Sequence, residues 1–323
     1  MPALPAALAR RGNAISRLSV AIVALVLAIL GAAAFLRLAQ AGLGCPDWPV
    51  CYGNLEANAR VLQDGTAGTL VRLAHRVAAL GAGALVLAAG WLVITRRPRR
   101  PAEVAAVAGM LGLLVFLAVV GRWSSLSRIP AVPVANLLGG SALLALAWLL
   151  LLLQRPARPA ARARTAVLAW TALLAVFVQS GLGALVSAKY AALACGAWFS
   201  CPGASAEFLG PALDSFADPA GLGAASLATL QWAHHLGAAA ALSLAALAAA
   251  AVSRTAGGRH TAAAIVGTAI AQAALGAAAV RLGHPLPLVL VHNLVANLLL
   301  LALVSATHQL SRGVRSRGVE MPA

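Results

Sequence analysis

Long apolar runs dominate the chain, and short polar segments separate them. A helix needs about 20 apolar residues to cross the hydrocarbon core of a bilayer. Eight segments reach that length, and none shows the period-two alternation of a closed membrane barrel. The pattern predicts eight spanning helices, at about residues 18–41, 68–95, 102–122, 131–153, 165–188, 223–252, 261–281 and 286–308.

Composition supports this prediction. Of 323 residues, 61% are hydrophobic and only 10% are charged, whereas a soluble domain carries about 25% charged residues. The predicted fold class is therefore all-α integral membrane. The first apolar run is longer than the roughly 7–15 apolar residues of a secretory signal and lacks a small-residue cleavage site, so we interpret it as a retained span.

The distribution of charge predicts the orientation. Sixteen of the 24 basic residues lie in the segments at one side of the predicted spans, and six of the eight acidic residues lie at the other. Basic loops stay in the cytoplasm, so both termini are expected there, with loops 42–67 and 189–222 outside. Because the arginines orient the spans, the net charge of +16 indicates a lipid bilayer and not a nucleic-acid partner.

All four cysteines fall in the two outside loops. Cys45 and Cys51 are separated by five residues, and so are Cys195 and Cys201. In an oxidising compartment this spacing favours two disulfides, Cys45–Cys51 and Cys195–Cys201. A metal site is the alternative, but it needs further ligands and neither loop contains a histidine.

The chain also contains an internal repeat. "AGLGCPDWPVC" matches "AALACGAWFSC", "LVRLAHRVAALGA" matches "LQWAHHLGAAAA", and "IPAVPVANLLGGSALL" matches "LPLVLVHNLVANLLL", at offsets of 150, 159 and 156 residues. Both copies begin in the cytoplasm, so a pseudo-twofold axis along the membrane normal is expected to relate them. The prediction is two parallel-repeat four-helix bundles, residues 1–158 and 159–323, each able to hold a cofactor between facing helices.

Histidines inside spans mark the candidate site, because ionisable groups in the membrane are costly and usually functional. His234 and His292 lie at similar depth in the sixth and eighth spans. Two facing imidazoles suit a six-coordinate haem iron, although hydrogen bonding across the helices is the alternative. His235 points about 100° away from His234. We choose His234 because the repeat aligns it with His75.

The matching site in the first half is less complete. His75 occupies the place of His234, but the offset of 156 residues aligns His292 with Asn136. Asparagine is a poor iron ligand. The first pocket is therefore expected either to hold iron through His75 alone or to hold none.

These stretches resemble the haem A synthase family, in its proteobacterial branch, over nearly the whole chain. The resemblance rests on "RLAQAGLGCPDWPVCYG", "AHRVAALGA", "VSAKYAALAC", "QWAHHLGA" and "PLPLVLVHNLVANLL". It implies an eight-helix oxidoreductase of the bacterial inner membrane that oxidises a methyl group of haem O to the formyl group of haem A. It also implies a haem b between His234 and His292, the substrate haem near His75, and disulfides at both cysteine pairs.

Two positions depart from the family pattern, both in the substrate half. Arg72 stands where relatives usually carry a glutamate three residues before the histidine, and Asn136 stands in place of the second histidine. An arginine reverses the charge, but it can pair with a haem carboxylate. We expect both residues to line the pocket of His75, with the Cys45–Cys51 loop over its outside mouth.

The resemblance also implies partners. Haem O and haem A are the expected substrate and product, and haem O synthase, oxidase assembly factors and a second copy of the chain are candidate protein partners. A diverged paralogue that binds one haem b and acts in electron transfer or oxidase assembly is the main alternative. A transporter is a further alternative, because a fold alone does not determine function.

Overall fold

The computed structural model of the chain describes residues 3–54, 57–58, 60, 65–124, 129–155, 163–196 and 200–315. Within these residues, eight helices are long and apolar enough to cross a membrane, which confirms the predicted fold class. They are α1 (Ala3–Gln40), α2 (Thr66–Ile94), α3 (Pro101–Ser124), α4 (Ala131–Leu153), α5 (Ala163–Ala188), α6 (Ala224–Ser253), α7 (Arg259–Arg281) and α8 (Leu286–Arg315).

The helix starts follow from the sequence. α3 begins at Pro101, α4 follows Pro130, and α8 begins directly after Pro285. Proline suits a helix start, where its missing N–H would have no intrahelical partner. α1 begins about four turns before the predicted start at residue 18, because hydropathy detects only the apolar part of a helix whose alanine-, leucine- and arginine-rich N-terminal part also favours helix.

The helices pack as two rings of four. In the first ring α1 contacts α2 and α4, and α3 contacts α2 and α4; in the second, α5 contacts α6 and α8, and α7 contacts α6 and α8. We name these the N-unit (α1–α4) and the C-unit (α5–α8). They meet where α4 packs against α8, with α1 against α8 and α4 against α5 on either side. This arrangement is consistent with the predicted repeat.

Two hydrogen bonds between α4 and α8 are also consistent with the predicted repeat. Ser141 Oγ lies 2.8 Å from Asn297 Oδ1, and Trp148 Nε1 donates to Ser305 Oγ at 2.8 Å. The paired residues are 156 and 157 positions apart, close to the offset of the repeat. A twofold axis brings equivalent residues face to face, and these bonds satisfy polar groups within the apolar helices.

The outer surface is apolar. Leu80, Trp91 and Val115 on α2 and α3 are 77%, 71% and 68% exposed. Side chains of this kind facing outward around eight long helices suit contact with lipid, since a soluble protein rarely exposes large apolar patches. The protein is a multi-pass membrane protein.

A buried ion pair closes the predicted cytoplasmic end of the N-unit. Arg96, in the loop after α2, donates through Nη1 to both carboxylate oxygens of Glu103 at 3.0 and 3.1 Å. Gln154, after α4, donates to the same carboxylate at 3.1 Å. Glu103 is fully buried and Arg96 nearly so. The pair therefore joins the α2–α3 loop to the end of α4.

Candidate functional site

A cavity of about 350 Å³ lies mostly within the C-unit, and its volume falls in the roughly 300–1,000 Å³ range of ligand pockets. Its walls come from all four helices of the unit and are largely small and apolar. His234 on α6 and His292 on α8 both line it. The structure thus brings together the two histidines chosen from the sequence, and it places His235 on the same cavity.

A glutamine amide contacts each of these imidazoles. Gln179 Nε2, on α5, lies 2.8 Å from His234 Nδ1, and Gln272 Nε2, on α7, lies 3.1 Å from His292 Nε2. Ligating histidines are commonly oriented by a hydrogen bond at the other ring nitrogen. These glutamines were not among the site residues predicted from the sequence, although a polar residue inside each of two odd-numbered spans was a signal for them.

A glycine lies against each imidazole as well. A Cβ atom at Gly183 would stand 3.0 Å from His234 Cε1, and one at Gly276 would stand 3.2 Å from His292 Cε1. Both distances are shorter than ordinary van der Waals contact. An alanine at either position would require the imidazole to shift by a few tenths of an ångström, so the close approach of α5 and α7 favours glycine there.

Several buried polar atoms around the cavity have no hydrogen-bond partner among the described residues. They are Arg37 Nε, Gln179 Oε1, Ser187 Oγ, Gln231 Oε1, Gln272 Oε1, His284 Nδ1 and His292 Nδ1. Buried polar groups are nearly always satisfied in a folded protein. The imidazole and guanidinium nitrogens in this set, between apolar walls, fit a ligand with a metal that binds imidazole, a large apolar body and an anionic group at its edge, which is the chemistry of a haem.

The N-unit contributes to this cavity too. Arg37, near the end of α1, and Leu43 and Tyr52, in the first cysteine loop, are among its lining residues. Leu38 and Leu43 pack with Leu286 of α8 and its neighbours in one buried cluster. The first cysteine loop was expected over the pocket of its own unit, but its described contacts lie over the C-unit.

Aromatic contacts hold the loop in this position. Tyr52 packs edge-on against Trp48, with ring centroids 5.3 Å apart, and against Tyr190, at 5.8 Å. Tyr52 Oη also accepts a hydrogen bond from the backbone N–H of Ala192 at 3.4 Å, and burial raises the pKa of its hydroxyl. The repeat predicts which helix the loop follows, whereas these contacts decide which unit it covers.

Both cysteine pairs are joined as disulfides, Cys45 to Cys51 and Cys195 to Cys201. No group of three or more histidine, cysteine or acidic residues able to hold a metal ion is found in the described part of the chain. Residues 197–199, between the second pair, lie outside that part. The joined cysteine pairs support the disulfide interpretation.

A buried lysine anchors the second cysteine loop. Lys189 is 1% exposed and donates through Nζ to the carbonyl oxygens of Pro211 and Ala212 at 3.0 and 2.9 Å. Burial lowers its pKa, and the charge of Asp214 opposes that shift. The lysine thus ties the end of α5 to the short helix Leu209–Leu213.

At the end of the cavity near the cysteine loops, between α7 and α8, lies His284. It has a left-handed backbone with φ of 60°, and it lines the cavity. Burial lowers the pKa of its imidazole, and His235 nearby lowers it further. His284 was not among the site residues predicted from the sequence.

The predicted substrate residues lie elsewhere, in the N-unit. His75 and Arg72 are partly buried on α2, and Asn136 is partly buried on α4. Arg72 Nη2 donates to Thr69 Oγ1 at 3.3 Å. None of the three predicted substrate residues lines the C-unit cavity. Their common pocket stays a prediction.

The two matching strings of α4 and α8 begin at Ile129 and Leu286, so they align at an offset of 157 residues, one more than the offset used to pair Asn136 with His292. At an offset of 157 residues Pro130 matches Pro287, Asn136 matches Asn293, and Ala135 falls opposite His292. At an offset of 156 residues Asn136 falls opposite His292. In either register the N-unit lacks a histidine at this place.

Comparison with known proteins gives consistent matches. Residues 16–304 match the model of the COX15-CtaA family, described as cytochrome oxidase assembly protein. The heme A synthase of Shewanella oneidensis is 33% identical over 302 residues, which cover 85% of this chain and 90% of that protein. The heme A synthase of Beijerinckia indica is 34% identical over 178 residues, which cover 51% of this chain and 48% of that protein.

Proposed function

The chain belongs to the COX15-CtaA family of cytochrome oxidase assembly proteins, and from that premise we propose that it is an enzyme that converts haem O to haem A for cytochrome oxidase. The observation that carries this function is the similarity to heme A synthases along most of the chain. The conversion turns a porphyrin methyl group into a formyl group. We therefore propose an oxidoreductase.

We assign the C-unit cavity to a resident haem b held by His234 and His292. Both imidazoles line one apolar cavity, and each has a glutamine amide at one ring nitrogen, which orients the ring. A haem with two imidazole ligands supplies one-electron transfer. The alanine-rich wall excludes water from the ligand, and Gly183 and Gly276 let the helices approach the rings.

We assign the substrate haem to the N-unit, near His75. Its imidazole is the only candidate ligand that the sequence analysis found in that unit. Arg72 lies three residues away on the same helix and offers a guanidinium to a porphyrin carboxylate, which pairs well with it. Asn136 offers an amide where an imidazole is absent.

The charge pattern supports an orientation in the bacterial inner membrane. The Arg96–Glu103 end of the N-unit then faces the cytoplasm with both termini, and the two disulfide loops face outward. Haem O synthase, oxidase assembly factors and a second copy of the chain are the protein partners proposed for it.

Haem extraction tests this function. The protein, purified from a host that supplies haem O, is extracted with acidified organic solvent and the haems are separated by chromatography. The expected result is haem b together with haem O or haem A, and haem A accumulation that depends on the protein. If only haem b is ever recovered and no formyl haem forms, the enzyme proposal is wrong, and an electron-transfer or assembly role replaces it.

A further inference from the structure

Arg37 is a cation from one unit that reaches into the cavity of the other. It lies near the end of α1, in the stretch "AAAFLRLA", whose other residues are all apolar, and it lines the C-unit cavity. Its Nη2 donates to Asn293 Oδ1 on α8 at 3.1 Å. This bond fixes the guanidinium across the boundary between the two units.

The protein leaves this guanidinium incompletely satisfied. Arg37 Nε is buried without a hydrogen-bond partner among the described residues. The described ion pairs are those of Arg96 and Arg100 with Glu103, so no described carboxylate forms an ion pair with Arg37. A buried charge without an opposite charge is strongly unfavourable. An anion from a ligand in the cavity would remove this cost.

The remaining groups around the outside end of the cavity do not supply that anion. Tyr52, His235 and His284 line the same end, and neutral or protonated forms of these side chains carry no negative charge. Ser187, which occupies the position equivalent to Arg37 in the second copy of the repeat, is uncharged. Among the described residues, the lining of the cavity therefore contains a cation and no acidic residue.

We propose that Arg37 binds a carboxylate of the porphyrin held in the C-unit cavity, so that the N-unit takes part in binding the haem of its neighbour. The proposal rests on the proposed haem b site at His234 and His292. An arginine fork pairs with a carboxylate through two parallel hydrogen bonds, and Nε is one of the donors it uses. Arg37 is thus a binding residue for the haem edge, while the histidines bind the iron.

Selectivity between haem b and its dimethyl ester tests this proposal. The ester keeps the iron, the ring and the apolar surface but loses both negative charges. The full-length protein is produced without haem, and its affinity for each compound is measured by absorbance titration. The unaltered protein is expected to bind haem b about tenfold or more tightly than the ester, as the usual strength of a charge-assisted hydrogen bond implies.

Three variants locate the origin of this preference. Arg37→Gln should reduce the ratio of the two affinities to near one, and Arg37→Lys should keep part of it, because a lysine retains charge without the fork. Asn293→Ala, which removes the interhelical bond but not the cation, should retain the preference. Arg281→Gln, at an exposed arginine outside the cavity lining, should leave it unchanged.

The outcomes separate this proposal from the proposed function. If the unaltered protein binds neither compound with the absorption of a two-histidine haem, the haem b site itself is wrong. If it binds both with that absorption and Arg37→Gln leaves the preference intact, the haem b site stands and the role of Arg37 is wrong. Haem release at pH 7 gives a second measurement, expected to be faster in Arg37→Gln than in Arg281→Gln.

Discussion

The N-unit and the C-unit have the same helix order and the same ring of contacts, but their interiors differ. In the C-unit, Gln179 of α5 contacts the imidazole of His234, and Gly183 of α5 leaves space for that ring. The repeat offset of 150 residues places Ile29 and Ala33 at these positions of α1. Four helices can therefore pack in the same ring with or without polar residues in their interior. An imidazole held between the helices needs both a hydrogen-bonding side chain, such as Gln179, and a small residue, such as Gly183, beside it.

The largest expected effect is the loss of a proposed iron ligand from the C-unit. His292→Ala should abolish the absorption of a two-histidine haem, because one of the two proposed ligands is lost. His235→Ala, on the same cavity, should preserve it, because that ring is not a proposed ligand. Absorption spectra of the purified variants give the measurement. An unchanged spectrum in His292→Ala contradicts the assignment of the C-unit site.

His75→Ala tests the proposed substrate site in the N-unit. Haem A formation should fall by about a hundredfold or more, as is common when a reacting group is misplaced, while the haem b absorption stays. Haem content by chromatography and the spectrum of the same sample measure the two effects. His260→Ala, at an exposed position at the start of α7, is the control. Loss of the haem b absorption in His75→Ala would show that the two sites are not separable.

Glu103→Gln tests the closure of the N-unit. Removing the carboxylate leaves Arg96 buried without its partner, which should cost about 3 kcal/mol of stability. Arg100→Gln is the matched control, since Arg100 is 53% exposed in its side chain and such a pair contributes at most about 1 kcal/mol. Thermal unfolding in detergent measures both. Equal stability of the two variants would mean that the buried Arg96–Glu103 pair does not stabilise this end of the N-unit.

Gly183→Ala and Gly276→Ala test the close approach of α5 to His234 and of α7 to His292. The added Cβ atom presses on His234 or His292, and overpacking of this kind costs about 1–3 kcal/mol. Haem affinity measured by titration should fall about tenfold. Gly267→Ala on α7 is the control, because nothing lies within 4 Å of its added Cβ atom. Haem affinities equal to that of Gly267→Ala would show that the two imidazoles do not depend on this close approach.

The smallest effect concerns the loop that crosses between the units. Replacing Cys45 and Cys51 by serine removes a covalent constraint from the loop that carries Leu43 and Tyr52 over the C-unit cavity. Transfer of haem b from the protein to a soluble haem acceptor should become severalfold faster. If transfer of haem b is unaffected, the loop does not cover that cavity in the working protein.

Much of the fold follows from local properties of the chain. Hydrophobic length determined the number and type of the helices, because a bilayer admits only elements that satisfy their own backbone. The paired strings around the cysteines and histidines indicated a duplication, and His234 and His292 were found because ionisable residues inside a span are costly. Gln179 and Gln272 escaped notice, since a glutamine in a span has many structural explanations.

The sequence alone determined an eight-helix membrane protein with two similar halves, two cysteine pairs and two candidate iron ligands. Only the tertiary structure decided that Arg37 and Tyr52 of the first half face the cavity of the second. The reason is physical: periodicity and hydropathy describe each helix against its surroundings, but they do not specify which neighbour a loop or a helix end packs against. That choice depends on contacts between residues far apart in sequence, such as Arg37 with Asn293 and Tyr52 with Tyr190.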